Sequence, residues 1–231
     1  MNLANWLCSR TAVFLQVLHS PEAGFARDLR GHSYLVPLLI LGLGFALIAA
    51  AQAPINLQWT RHHLEAGGMA PEQVSAAVDL LARTSAWRTA GVPLLLLLRW
   101  ALFALILWLT AQVVLDRLTF SQALTVVAFS YAPLLFRDAV GHLVLLLRGN
   151  EKLIREDGLS VSLGLNLMFP GIPLPWSSLA ANLNLFEIWY VLLLIAGVAK
   201  MAPTRWRKAT GVVVPCWLFV AIVQFGLVAL G

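Results

Sequence analysis

Five ionisable side chains interrupt the long apolar stretches of this sequence, and their types could support chemistry inside a membrane. They are Arg99, Arg137, Asp138, His142 and Glu187. Ionisable residues within membrane helices are costly, and they usually face protein or a water-filled cavity. Such a cluster could relay a proton or an ion, or hold a lipid headgroup or polar substrate. The alternative is an internal ion-pair network that fixes helix packing, or side chains that reach the lipid headgroups.

No second group of residues indicates enzyme chemistry. His62, His63 and Glu65 are close in sequence, but adjacent histidines without a further fixed ligand are typical of a solvated loop. Cys8 and Cys216 lie far apart and form neither a disulfide framework nor a metal-ligand spacing. Catalytic triads, HExxH and phosphate-cradling Gly-rich loops are absent from the sequence. We therefore expect a non-enzymatic protein with neither a metal nor another cofactor.

The composition predicts the environment of these charges. The chain has 231 residues, of which 60% are apolar and 12% charged, whereas about a quarter of a soluble domain is charged. A bilayer accepts apolar side chains all round a helix, provided that backbone groups are paired internally. The net charge of +5 is scattered without a long basic run, which argues against nucleic-acid binding. We predict an all-α integral membrane protein.

Five apolar runs have the length of a transmembrane helix, since crossing about 30 Å of hydrocarbon takes roughly 20 helical residues. They are predicted at 34–53, 92–115, 122–147, 183–199 and 210–230. Pro54 is expected to end the first span, and Pro93 to occupy the first turn of the second. We predict one membrane domain over 34–231, preceded by an amphipathic segment over 1–33.

The N-terminal segment has the periodicity of an amphipathic helix. Its apolar stripe comprises Leu3, Leu7, Phe14 and Leu18. This pattern suits a helix lying in the membrane interface, and it equally suits a helix packed on the cytoplasmic face of the protein itself.

Two connections are long enough to form structure of their own. The polar segment 54–91 predicts an extramembrane hairpin arm with a helix beginning at Pro71 and Glu72 in its first turn. The segment 149–181 alternates apolar residues over 161–167, which permits a short strand.

The distribution of basic residues predicts the orientation. The short connection after the fourth span contains Lys200, Arg205, Arg207 and Lys208, and short loops rich in Lys and Arg stay in the cytoplasm. We therefore predict a cytoplasmic N-terminus and a C-terminus outside. With a rise of about 1.5 Å per residue, the five ionisable residues then all fall in the outer half of the membrane.

Several sequence elements in order resemble the Yip family of Ypt-interacting membrane proteins, in its bacterial form. They are Pro21 to Phe25, Met69 to Val74, the aromatic-Ser-x-x-Pro element Phe129 to Pro133, and Asn184 to Trp189. The resemblance implies five spans with a cytoplasmic N-terminus, and for some bacterial members an association with ABC-type export systems. Glu187 departs from the family pattern, which usually has an uncharged residue there.

These observations favour a multi-pass scaffold or accessory subunit of the bacterial inner membrane. Its expected partners are the lipid bilayer and other integral membrane proteins, an ABC-type export system among them, and homo-oligomerisation stays open. The alternative is a small transporter or lipid-handling protein that uses the outer-half charge cluster.

Overall fold

The structure is a computed structural model that describes residues 3–26, 34–115, 118–148, 164–165, 173, 176–177, 180 and 183–230. In chain order its helices are α1 (Leu3–His19), α2 (Pro21–Phe25), α3 (Leu35–Ala66), α4 (Pro71–Val114), α5 (Phe120–Ser130), α6 (Ala132–Arg148), α7 (Leu185–Met201) and α8 (Trp206–Leu230). The described ranges contain no β-strand. The strand predicted at 161–167 lies outside them except for residues 164 and 165.

Four helical stretches are long and apolar enough to cross a membrane. They are Leu35–Ala66, Pro71–Val114, Phe120–Leu147 and Trp206–Leu227. The chain is therefore a multi-pass membrane protein, as predicted, and helices are the only regular secondary structure in its described part. The predicted fourth span corresponds to α7, which has 17 residues and a length of about 25 Å.

The first two spanning helices form a hairpin that is longer than predicted. Helix α3 continues through Pro54 to Ala66, and α4 runs without interruption from Pro71 to Val114 with Pro93 inside it. The predictions that Pro54 ends a helix and that Pro93 begins one were therefore wrong. An internal proline removes only one intrahelical hydrogen bond, and packing between the two helices offsets that loss.

The contacts of the hairpin show how it is held together. Gly42 lies so close to α4 that a Cβ atom there would be 3.2 Å from Cβ of Pro93. At the far end the turn passes through Gly68, whose φ of 75° is one that glycine adopts at no steric cost. The helix predicted to begin at Pro71 with Glu72 in its first turn is confirmed.

The third spanning stretch is broken at Tyr131, where the sequence predicted one continuous helix. Pro133 has no N–H to donate to the carbonyl of Phe129, so the helical ladder lacks that hydrogen bond here. Instead the Tyr131 N–H donates to Ala128 O (3.4 Å) and the Leu134 N–H donates to Tyr131 O (3.1 Å). These three-residue hydrogen bonds tighten the chain locally and separate α5 from α6.

The N-terminal helix packs against the bundle, which is one of its two predicted placements. Val13, Phe14 and Val17 of α1 are buried. The Phe14 ring contacts the edge of the Phe129 ring at a centroid distance of 5.8 Å, and Phe25 of α2 reaches the same ring at 6.3 Å. The N-terminal segment therefore contributes to the same apolar core as the spanning helices.

Side-chain contacts define the directions of the helices. Arg99 lies at the level of Tyr131, and nine residues further along α4 Trp108 contacts Phe120. Helix α4 is therefore antiparallel to α5. In the same way Glu187 pairs with Arg137 while Gly197 packs on Val126, so α7 also runs opposite to α5 and α6.

Gly197 provides a test of how closely α7 and α5 must approach. A Cβ atom on Gly197 would lie 2.6 Å from Cγ1 of Val126, and a β-branched side chain has little freedom to move away. We expect Gly197→Ala to lower the free energy of unfolding by about 1–3 kcal/mol, measured by titrating the detergent-solubilised protein with a denaturing detergent. The matched control is Gly211→Ala, where no atom lies within 4 Å. Equal stability of the two variants would contradict the proposed close packing.

Candidate intramembrane charge cluster

Three of the five predicted residues are joined through one guanidinium group. Arg137 on α6 donates from Nε to Oδ1 of Asp138 (2.8 Å) and from Nη1 to Oε1 of Glu187 (2.9 Å). Charge-assisted hydrogen bonds of this length are the strong kind. The Arg137 side chain therefore ties α6 to the first turn of α7.

The position of Glu187 is fixed by the start of its helix. Asn184 is the N-cap residue, and its side-chain oxygen accepts a hydrogen bond from the Glu187 N–H at 2.9 Å. Asn184 therefore caps the helix. A carboxylate in the first turn also interacts favourably with the helix dipole. Glu187 is only 7% exposed, so the Arg137 pair lies in a largely enclosed site.

Tyr131, at the break in the third spanning stretch, stands at the centre of the cluster. The guanidinium carbon of Arg99 lies 5.6 Å from the centroid of its ring, which is the geometry of a cation–π interaction. Trp100 and Tyr190 contact the same ring edge-on, at centroid distances of 5.6 and 5.7 Å. An aromatic group thus separates Arg99 from Arg137 where α4, α6 and α7 meet.

His142 does not join this network. Among the described residues, no hydrogen bond or ion pair connects it to Arg99, Arg137, Asp138 or Glu187, and its buried Nδ1 atom has no partner. Asp138 and His142, four residues further along the helix, are not hydrogen-bonded to each other. The structure brings together four of the five predicted residues.

Two cavities adjoin the cluster on opposite sides of Arg99. The larger has a volume of about 360 Å³, and its walls include Arg99, Trp100, Glu187 and apolar residues of α4 and α8. The smaller, of about 310 Å³, lies toward α3 and is lined in part by Arg137 and Asp138. Arg99 and Tyr131 belong to both walls. The charges therefore border spaces that are large enough for a ligand.

The other candidate ligands for a metal lie apart from this site. His63 on α3 stacks on the ring of Trp59 at a centroid distance of 5.0 Å. Within the part of the chain that the structure describes, no three His, Cys, Asp or Glu side chains are grouped so that they could hold a metal ion.

Sequence reasoning missed the aromatic part of the site. Tyr131, Tyr190 and Trp100 were not singled out, although all three are almost fully buried at the level of the charges. The available signal was Tyr131 itself, since it lies in the aromatic-Ser-x-x-Pro element where Pro133 must disturb the helix. Trp100 is likewise adjacent to Arg99 in sequence.

The fold and the site together define a polytopic helical membrane protein with a broken third span and an intramembrane charge cluster. A model of the Yip1 domain matches residues 15–228, and the chain therefore belongs to the Yip1 domain family. The resemblance seen in the sequence elements is thus confirmed over nearly the whole chain. No curated protein and no solved structure matches it significantly.

A double-mutant cycle tests the ion pair between α6 and α7. Arg137→Met leaves two carboxylates without their cation, and we expect it to cost about 3–5 kcal/mol of stability. Glu187→Leu should cost less, because Arg137 keeps Asp138 as a partner. Combining the two should recover roughly 1–3 kcal/mol relative to the sum of the single effects, measured by denaturing-detergent titration.

The control for this cycle is Arg83→Met, since Arg83 is exposed on α4 and its replacement should change stability little. Strictly additive effects of Arg137→Met and Glu187→Leu would contradict an energetic coupling between these side chains.

Proposed function

We propose that the chain is a non-enzymatic scaffold or accessory subunit of the bacterial inner membrane, which binds other membrane proteins through the arm formed by α3 and α4. The observation that carries this proposal is the length of the hairpin. Helix α3 has 32 residues and α4 has 44, which correspond to about 48 and 66 Å. A hydrocarbon core of about 30 Å cannot cover either helix, so the far end of the hairpin extends beyond it.

The surface of the arm suits a protein partner. Leu80 is 64% exposed and Met69 is 40% exposed, and they lie on a part of the hairpin that also carries exposed charges such as Arg61 and Arg83. Apolar side chains on a projecting polar arm gain free energy when a partner covers them. Integral subunits of an ABC-type export system are the partners that the family resemblance favours.

Helix α7 acts as the fifth span in this proposal. It is short for a lone transmembrane helix, but it packs against α2, α5, α6 and α8, so that lipid need not cover its full length. Polar groups mark both of its ends: Asn184 caps the first turn, and Lys200 pairs with Glu22 at 3.3 Å. An odd number of spans places the two termini on opposite sides of the membrane.

Reporter fusions test this topology. With the N-terminus in the cytoplasm, a phosphatase that is active only outside should be active when fused after Gly231, and a fluorescent protein that folds only inside should be dark there. Fusion after Thr204, in the basic connection before α8, should give the opposite pattern. Fluorescence at Gly231 would contradict five spans with the N-terminus inside.

Copurification tests the role of the arm. We expect the double variant Leu80→Ala and Met69→Ala to recover about ten-fold less of the membrane-protein partners in mild detergent. A ten-fold loss corresponds to roughly 1.4 kcal/mol of binding free energy. Identification of the partners by mass spectrometry shows whether export-system subunits are among them.

Leu94→Ala is the matched control, because Leu94 is also exposed on α4 but lies within its apolar part. Recovery of the wild-type chain without any partner, at normal abundance, would contradict the scaffold proposal. Equal loss in the control and the arm variant would contradict a specific role of the arm.

A second candidate function is lipid handling or small-molecule transport. It is favoured by the two cavities that meet at Arg99, since charged groups beside a space of ligand size are typical of a binding site within a bundle. Lipid handling or transport would not depend on the arm formed by α3 and α4. It would depend on a ligand that binds to the walls of these cavities.

A further inference from the structure

The larger cavity is open toward the lipid-facing surface between α4 and α8. Its α4 wall includes leucines whose side chains are more than half exposed, namely Leu95, Leu98 and Leu102, and its α8 wall includes Val220 and Ala221. A wall of this composition gains nothing from contact with water. It is suited to a hydrocarbon chain that enters from the bilayer.

Two hydrogen-bond donors in the walls of this cavity have no acceptor among the described residues. Arg99 is exposed, and its guanidinium group lies over the Tyr131 ring and interacts electrostatically with Glu187, but it donates no hydrogen bond to a described residue. Trp100 is fully buried, and its Nε1 atom has no hydrogen-bond partner. Each unsatisfied donor is costly at membrane depth. An anionic oxygen is an acceptor that would suit both donors.

Arg137 is less available for this function, because its charge is already paired with Asp138 and Glu187, which accept hydrogen bonds from its Nε and Nη1 atoms. In their usual ionised forms, the two arginines and the two carboxylates sum to zero charge. A phosphate bound alone at Arg99 would leave the site with a net negative charge. A zwitterionic headgroup, whose amine faces Asp138, keeps the site neutral.

The walls of the two cavities contain the groups that such a headgroup requires. Arg99 borders both, and Asp138 lines the smaller one with a side chain that is 36% exposed. A phosphate beside Arg99 and Trp100 could therefore extend its ammonium group toward Asp138, while an acyl chain fills the larger cavity. The volume of about 360 Å³ falls within the range of roughly 300–1,000 Å³ found for small-ligand sites.

We propose that this site binds a zwitterionic, amine-bearing phospholipid, with the phosphate on Arg99 and Trp100, the ammonium group on Asp138, and one acyl chain between α4 and α8. The proposal deepens the second candidate function by naming its ligand class. The proposal concerns only the binding of the lipid, and it does not depend on whether the protein moves that lipid between the leaflets.

Native mass spectrometry of the purified chain tests the proposal, with phosphatidylethanolamine and phosphatidylglycerol of identical acyl chains added at equal concentration. We expect phosphatidylethanolamine to be retained about five-fold better, since only its headgroup leaves the site neutral. Arg99→Met should reduce its retention about ten-fold, the loss of one charge-assisted contact. Trp100→Phe, which keeps the ring and removes the N–H, should also reduce it.

Asp138→Asn supplies the sharpest readout, because it removes the negative charge but keeps an oxygen that can accept the hydrogen bond of Arg137. We expect it to shift the preference from phosphatidylethanolamine toward phosphatidylglycerol, which a purely structural role of Asp138 would not do. Arg83→Met, on the arm, is the control and should leave both lipids unaffected. Thermal unfolding of each variant verifies that it is folded.

The proposal is overturned if phosphatidylglycerol binds as well as or better than phosphatidylethanolamine, or if folded Arg99→Met retains the lipid normally. A vesicle assay of lipid movement between leaflets separates this site from the second candidate function. Selective binding without movement would support the site and contradict lipid transport.

Discussion

In the hydrocarbon core of a bilayer, the unpaired backbone groups of a broken helix have no water to hydrogen-bond. This constraint determines how the centre of the molecule is packed. At Tyr131 the third spanning stretch loses its regular hydrogen bonds because Pro133 cannot donate one. Irregular backbone at membrane depth is tolerated only where protein or a cavity surrounds it. Residues 123–134 are accordingly buried without interruption. Helices α3, α4 and α7, together with the N-terminal α1 and α2, all contribute side chains that cover this break.

The burial of the break explains the roles of the neighbouring aromatic and charged groups. Tyr131 places a large ring at the bend, and Phe45, Trp100 and Tyr190 contact it from three different helices. Six residues further along the chain, Arg137 of α6 binds Glu187 of α7. A buried ion pair is weak evidence for net stability, but removal of one partner leaves a costly charge. The pair therefore selects one register of α7 against α6.

The sequence predicted the charges better than it predicted the helices that carry them. The rise of a helix alone predicted that Arg99, Arg137 and Glu187 lie at overlapping depths in the membrane. In the structure these side chains lie around Tyr131. The ends of α3 and α4 could not be predicted in the same way. A proline such as Pro54 or Pro93 can stand at the end of a helix or inside one, and the sequence alone does not distinguish the two. Whether a proline breaks a helix depends on the packing of the neighbouring helix, which is a long-range property.

Tyr131 shows the same limit within the site. Its type and its place before Pro133 were visible, but its contact with Arg99 depends on how α4 packs against the third stretch. The N-terminal helix presents a different case. Its apolar stripe was visible in the sequence, but the stripe was equally compatible with binding to lipid and with packing against the protein. Phe14 and Phe25 resolve that ambiguity because both reach Phe129, a ring that the break in the third stretch holds in the core. The N-terminal segment and the charge cluster thus contact neighbouring residues of the third stretch, Phe129 and Tyr131.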